Sequence, residues 1–334
     1  MAALLGLSIL STFITGILLV PFIDFLYKIK LKRQDQITRD PFNKRTPLFD
    51  RYNSWKVGTP FGGGILIIGV VTVITLWAYG MLSIEVKYWE LFVILFSFIG
   101  FGLLGLYDDS KKLINSNSGF FGLRLRHKFI IQWILAFIIA SIFYYQLGYS
   151  FVHFLGYTMQ IGIFFIPFAA FVIVAFVNAF NITDGLDGLA SGLFLICLIA
   201  LLVISSQILD NTLGIFIAVL IGSIVAFLYF NIYKARLWLG DVGSLSLGAV
   251  LAVTGLLTGK TLAIIVLGGF FVIEVASSMI QLLGKKYLHR KIFPVSPFHL
   301  WLLNRGWEEP KVVMRAWIIG LFLAILGVYL AFIQ

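Results

Sequence analysis

Long apolar runs separated by short polar connectors dominate this chain, and ten of them are long enough to cross a bilayer as helices, which takes about 17 to 25 residues each. They fall at roughly 3–27, 61–82, 90–107, 129–148, 160–177, 189–208, 213–232, 243–259, 261–283 and 312–333. The ten-residue alternation of a membrane barrel is not visible, and lipid offers backbone groups no partner outside their own segment, so each run is predicted to be a helix. The expected architecture is an all-α polytopic integral membrane protein, a single membrane-embedded domain over residues 1–334 without internal repeats. Met1 to Val20 lacks a basic leader and its apolar stretch continues to about Tyr27, so the first run is expected to be a true span.

Charge placement adds an orientation. The connectors after the odd-numbered runs hold nine, five, none, two and seven Lys or Arg, counting Arg315 with the last, whereas the other side has only Lys87 and Lys260. Positively charged loops stay in the cytoplasm, so both termini are expected on the extracytoplasmic side. Composition agrees: 60% of the 334 residues are hydrophobic and 12% are charged, where a soluble domain has about 25% charged. The net charge of +10 then reads as orientation bias, and no nucleic-acid partner is expected. The single cysteine, Cys197, lies inside an apolar run and is assigned to packing.

Against that background the acids stand out, because an Asp near hydrocarbon costs about 2.5 to 3.5 kcal/mol on insertion scales and usually faces a water-filled cavity or a ligand. The segment from Asn178 to Ala190 (NAFNITDGLDGLA) places Asn178, Asn181, Asp184 and Asp187 where a span ends. Asp184 and Asp187 are three apart, which on a helical turn would put both on one face, and Gly185 and Gly188 would let a ligand approach the backbone. Asp108 and Asp109 end the third run, with Lys112 following. Adjacent acids repel unless a cation lies beside them, so this pair suits either Mg²⁺ with a phosphate or a lysine-paired cap. Gly240-Asp241-Val242-Gly243-Ser244 reads as a tight turn at a helix N-terminus, either a simple cap or an anion site. Trp238 before it is an interfacial anchor or a platform for a planar base. His299, after the basic and aromatic stretch from Gly284, can donate to a phosphate. Glu274 lies within a span and needs a partner, either Gln281 on its own helix or a polar group from another. All of these acids except Glu274 fall at one edge of the bilayer and not at its midplane, as an enzyme joining a soluble phosphorylated substrate to a lipid phosphate requires.

The motifs together resemble the polyprenyl-phosphate N-acetylhexosamine 1-phosphate transferases, and most closely their phospho-N-acetylmuramoyl-pentapeptide branch. The matching residues span nearly the whole chain: Lys56-x-Gly-Thr-Pro60, Asp108-Asp109-x-x-Lys112, His127-Lys128-Phe129 with Gln132, Asn178 to Ala190, Asn231, Gly240-Asp241-x-Gly-Ser244, Glu274 with Gln281, and Ser296-Pro-x-His299 followed by Gly306-Trp307. The resemblance implies a ten-helix bundle, in some members a homodimer, in the bacterial plasma membrane with its active site on the cytoplasmic face. It implies transfer of phospho-MurNAc-pentapeptide from its UDP carrier to undecaprenyl phosphate with Mg²⁺, giving lipid I and UMP. Position by position it implies Asp241 as the metal ligand, Asp108 and Asp109 at the lipid phosphate, and His299 within the catalytic set. Lys56, Asn181, Asp184 and Asp187 would line the nucleoside pocket, with the Trp238 ring for the base. Lys112, Lys128, Asn231 and His299 would contact phosphates or polar parts of the site, and Asn178 would belong to the substrate-binding set.

Some positions depart from the branch pattern. Its three consecutive histidines read His299-Leu300-Trp301 here, an acid expected shortly afterwards is Leu303, and Trp238 stands where Phe is usual. The alternative reading is therefore a relative that takes UDP-GlcNAc or another UDP-HexNAc, and the reading from another class is a membrane transporter.

Overall fold

The computed structural model describes residues 1–32, 45–46, 50–52, 54–81, 86–114, 125–154, 157–208 and 210–333. Residues 33–44, which are part of the basic first connector, and Arg124 lie outside them. In chain order the helices are α1 (Ala2–Lys28), α2 (Gly63–Met81), α3 (Tyr88–Ile114), α4 (Leu125–Tyr145), α5 (Phe165–Thr183), α6 (Leu189–Gln207), α7 (Asn211–Asn231), α8 (Gly240–Leu257), α9 (Thr261–Leu267), α10 (Gly269–Tyr287), α11 (Phe298–Asn304) and α12 (Glu309–Ile333). Among the described residues nine helices are long and apolar enough to cross a membrane, and α9 with α10, bent by 76° to one another, make ten if the pair counts as one broken span. The protein is a multi-pass, all-α membrane protein.

Two features differ from the sequence expectation. The run at 261–283 is not one straight helix, because it breaks at Gly268, where the Phe176 ring packs so closely that a side chain would overlap it. A Gly-Gly step at 268–269 is a common cause of such a kink. Between α4 and α5 the chain forms a short antiparallel hairpin, β1 (Phe151–Phe154) and β2 (Tyr157–Gln160), with Phe151 opposite Gln160. Four-residue strands in a connector leave too little alternation to be seen. Helix ends also extend further than the apolar runs, so Asp108, Asp109 and Lys112 ride on the last turns of α3 and Lys128 on the first turn of α4.

Helix α8 is the centre of the bundle. Its apolar window is 89% buried, against 22% in α1 and 28% in α4 and α12. Lipid is as apolar as a leucine side chain, so helices in a membrane associate through close packing of small residues and through interhelical hydrogen bonds. The composition of α8, GDVGSLSLGAVLAVTGLL, supplies those small residues. Gly64 of α2 meets the backbone at Gly243, and Gly105 of α3 meets the carbonyl of Asp241, each so closely that a Cβ would overlap main-chain atoms. Backbone bonds continue the contact at the start of α2, where the Gly62 and Gly63 N–H groups donate to the Trp238 carbonyl at 3.1 and 2.9 Å, and Gly64 N–H donates to Leu239 O at 3.0 Å. Elsewhere hydroxyls join helices: Ser8 of α1 donates to Ala218 O at 2.7 Å, and Thr15 pairs with Ser223 at 2.6 Å, tying α1 to α7.

At the end of the bundle opposite the acid-rich turns, Asp210 caps α7 by accepting from the Leu213 N–H at 2.9 Å and also receives the Lys87 ammonium at 2.9 Å. Burial alone would push the Asp210 carboxyl up, but the Leu213 N–H and Lys87 outweigh it and hold the group below the usual carboxylate range. Such a group contributes stability above its unfolded value, about 3.9 for Asp, and loses it as pH falls through the folded value.

Gly105→Ala should force α8 away from α3 at an overpacking cost of about 1 to 3 kcal/mol, seen as a lower melting temperature in detergent together with loss of activity. Asp210→Ala should cost about 1 kcal/mol from the lost cap alone, and its melting deficit at neutral pH should narrow below about pH 4; a deficit independent of pH would remove the ionic part of that account.

Candidate active site

Three carboxylates and two ammonium groups meet where α3, α4, α5 and α8 end or begin. Asp241, in the first turn of α8, takes Lys128 Nζ at 2.6 Å and Lys112 Nζ at 2.8 Å on its Oδ2. Lys128 also reaches Asp108 Oδ2 at 3.0 Å, and Lys112 reaches Asp109 Oδ1 at 3.0 Å and Asp108 Oδ2 at 3.5 Å. The other oxygen of Asp109 accepts from the Val242 N–H at 3.2 Å, locking α3 to the start of α8. Asn181 of α5 completes the ring by donating to Asp241 Oδ1 at 3.2 Å and to Ser244 Oγ at 2.7 Å. Asp108 and Asp109 are buried, whereas the side chains of Asp241, Lys128 and Lys112 keep 17, 14 and 28% exposure, so these three form the accessible layer. Each residue sits there for a local reason. The i, i+3 and i, i+4 spacing from Lys112 to Asp109 and Asp108 puts all three on one helix face, and Gly105 one turn earlier admits Asp241.

Two carboxylates placed at adjacent positions and a third across from them need cations, since charges removed from water are tolerable only when paired. The cluster carries one more negative than positive group, in keeping with a site that accepts a further cation together with anionic phosphate. Magnesium takes oxygen ligands and is usually held by one or two carboxylates plus substrate phosphates and water. Among the described residues no group of three or more His, Cys, Asp or Glu is arranged to hold a metal by itself, and magnesium bound through substrate phosphates does not require one. The carboxylate oxygens are of the kind that magnesium takes, and a divalent cation on Asp241 Oδ2 would replace the two ammonium groups that now converge there.

A second constellation lies around Lys56, which is 1% exposed. Its ammonium donates to Glu309 Oε1 at 2.7 Å and to Gly185 O at 3.2 Å, and lies 3.4 Å from Asp187 Oδ1 and 4.6 Å from the centre of the Trp238 ring. Asp187 Oδ2 accepts from the Ala235 N–H at 2.9 Å, and the Asp187 N–H donates to Glu309 Oε1 at 2.8 Å. Lys56 and Asp187 therefore sit in a buried ion network. Helix α5 ends at Thr183, so Asp184 and Asp187 occupy a turn and do not share a helical face. Asp184 is half-buried, and its carboxyl is held well above the usual range, first by burial and then by the negative charge of Asp241. The bare faces expected at the two glycines are filled: the His299 ring packs on Gly185, and Trp317 donates to Gly188 O at 3.1 Å.

His299 is buried and held twice by Glu274, which accepts from its N–H and pairs with its Nδ1, each at 3.0 Å. Glu274 thus finds its partner on another helix, while Gln281 binds the backbone at Ile292 and Phe293. The His299 Nε2 is buried and has no hydrogen-bond partner among the described residues. Of the two positions that follow, Leu300 is buried and Trp301 stacks on Phe298 at 5.7 Å. Asn231 is buried, accepting from Ser191 at 2.6 Å and donating to Leu237 O at 2.9 Å, and Asn178 donates to Gln132 Oε1 at 2.8 Å. One residue central to the second network, Glu309, is not among the candidates drawn from the sequence. The signal was present, since it is an acid in the first turn of an apolar span, like Asp241.

Comparison with known proteins matches this arrangement. Residues 91–259 match glycosyl transferase family 4. A phospho-N-acetylmuramoyl-pentapeptide-transferase of Borreliella afzelii is 36% identical over 94% of this chain and 91% of its own length. The proteins of the same name from Desulforudis audaxviator and Thermodesulfovibrio yellowstonii are 34% and 35% identical, over 96% and 95% of this chain and 95% and 89% of theirs. Identity at that level from end to end, with the acids, lysines and His299 gathered at one end of the bundle, makes this chain a member of glycosyl transferase family 4, in its phospho-N-acetylmuramoyl-pentapeptide-transferase branch.

Proposed function

We propose that this protein transfers phospho-MurNAc-pentapeptide from UDP-MurNAc-pentapeptide to undecaprenyl phosphate, forming lipid I and releasing UMP, at the cytoplasmic face of the bacterial plasma membrane. The observation that carries this reading is the end-to-end similarity to relatives of that name, and the cluster at the end of α3 and the start of α8 suits it chemically. An oxygen of the lipid phosphate forms a bond to the sugar-linked phosphorus, the bond from that phosphorus to the bridging oxygen breaks, and the oxygen leaves with UMP. Phosphoryl transfer of this kind asks the protein mainly to position groups and to neutralise developing charge.

In this reading Asp241 would hold Mg²⁺, which when bound would neutralise charge on the diphosphate, while Asp108 and Asp109 anchor the two lysines beside it. Lys112 and Lys128, which face Asp241 in the accessible layer, are placed to turn toward phosphate oxygens once anions enter. The second pKa of a phosphomonoester is near 6, so the lipid phosphate is largely a dianion at neutral pH and attacks without a base. Asp108 then orients Lys128 and Lys112 and withdraws no proton. Asp184, half-buried in its turn, offers a carboxyl to the nucleoside side, and the Trp238 ring offers an apolar edge to the base. The Lys56 and Asp187 pair serves as internal bracing. His299, its Nδ1 fixed by Glu274 and its ring packed on Gly185, supports the 184–188 turn from within the bundle.

Asp241→Asn and Asp108→Asn should each reduce UMP release at least about a hundredfold, the scale for losing one electrostatic stabiliser, with an unchanged melting temperature in detergent. Turnover near wild type in either would remove the metal and phosphate assignments. Purified protein given undecaprenyl phosphate, Mg²⁺ and one UDP-sugar at a time should release UMP with UDP-MurNAc-pentapeptide; lipid product from UDP-GlcNAc alone would move the protein to the other substrate class, and no UMP from any pairing would favour a transporter.

A further inference from the structure

Glu309 takes no part in the chemistry above, yet one of its oxygens holds two partners that matter to the substrate side. Its Oε1 accepts from the Lys56 ammonium at 2.7 Å and from the Asp187 N–H at 2.8 Å. The same ammonium donates to Gly185 O at 3.2 Å. Gly185 and Asp187 flank Leu186, so one carboxylate from the start of α12, directly and through one lysine, grips the turn after α5 on both sides of its midpoint. Asp184 stands at the head of that turn. The Lys56 ammonium also lies 4.6 Å from the centre of the Trp238 ring, whose backbone accepts the Gly62 and Gly63 N–H groups.

The network is buried, with Lys56 1% and Glu309 8% exposed. A buried ammonium that loses one of its carboxylates must move toward the other or draw in water. Without the charge of Glu309, Lys56 is left with Asp187, and the pull falls on the turn itself. Any shift of Lys56 changes its carbonyl partner at Gly185 and its distance from the Trp238 ring together.

We infer that Glu309 is a positioning residue for the nucleoside-diphosphate end of the substrate, acting through Lys56 and the Asp187 amide to fix the 184–188 turn and the Trp238 ring. This inference rests on the transferase reading. It makes a distinction that a purely structural brace would not: affinity for the UDP-sugar depends on Glu309, whereas handling of the lipid phosphate does not.

The test uses the full-length protein in detergent, with UMP release measured against each substrate in turn. Glu309→Gln keeps the size of the side chain and an acceptor for the Asp187 amide while removing the charge. KM for the UDP-sugar should rise about tenfold, with kcat and KM for undecaprenyl phosphate within about twofold of wild type. In a Lys56→Gln background the same substitution should add no further rise, because its effect passes through Lys56. An unchanged KM for the UDP-sugar in a folded Glu309→Gln protein, or an equal and multiplicative effect in the Lys56→Gln background, would overturn the inference. Should Glu309→Gln fail to fold, Glu309→Asp, which keeps the charge but withdraws it by one methylene, is read by the same two criteria. Failure of the wild-type protein to release UMP from any UDP-sugar would instead remove the transferase reading beneath it.

Discussion

Everything at the functional end of this molecule follows from one contact, the touching of backbones between α3 and the first turn of α8. In a bilayer nothing squeezes helices together as water does in a soluble core, so helices approach only as closely as their side chains allow. At Gly105 there is no side chain, and the Asp241 carbonyl fills its place. That single omission brings the acid of α8 to the two acids of α3, and the repulsion it creates calls in Lys112 and Lys128. The Asp109 bond to the Val242 N–H then fixes the register between the two helices.

The same constraint explains why the most buried of the candidate spans among the described residues also carries a polar first turn. An apolar α8 would have been stable alone in lipid, but it would have had no means of holding three neighbours at contact distance. Glycine, serine and alanine along α8 permit that contact and leave polar backbone close to the site. The other spans then organise around a helix whose N-terminal turn carries the acid of the cluster.

Much of this could be read from the chain itself. The spans are legible because runs of eighteen or more apolar residues, wound as helices, match the thickness of the hydrocarbon core. The cluster members are legible because ionised groups at a membrane edge are costly and so carry meaning. What stays hidden is partnership. Asp184 and Asp187 look equivalent by spacing, yet α5 stops at Thr183 and the two carboxylates go to different surroundings. Gly185 and Gly188 look like openings for a ligand but are filled by His299 and Trp317 from much later in the chain. For Glu274 the sequence leaves open Gln281 or a polar group from another helix, and only the fold shows that His299 takes both of its oxygens. Long-range partners of this kind leave no periodic trace. The break at Gly268 is hidden for the same reason, since its cause is a ring on α5.

The ion network between Lys56 and Glu309 has a consequence for how the protein comes into being. Its members lie 253 positions apart, and the glutamate opens the last span. Synthesis runs from the lysine to the acid, so the ammonium precedes this counter-charge by that whole stretch of chain. Both groups are buried, so a bundle holding the lysine without the glutamate would bury an ammonium short of one counter-charge.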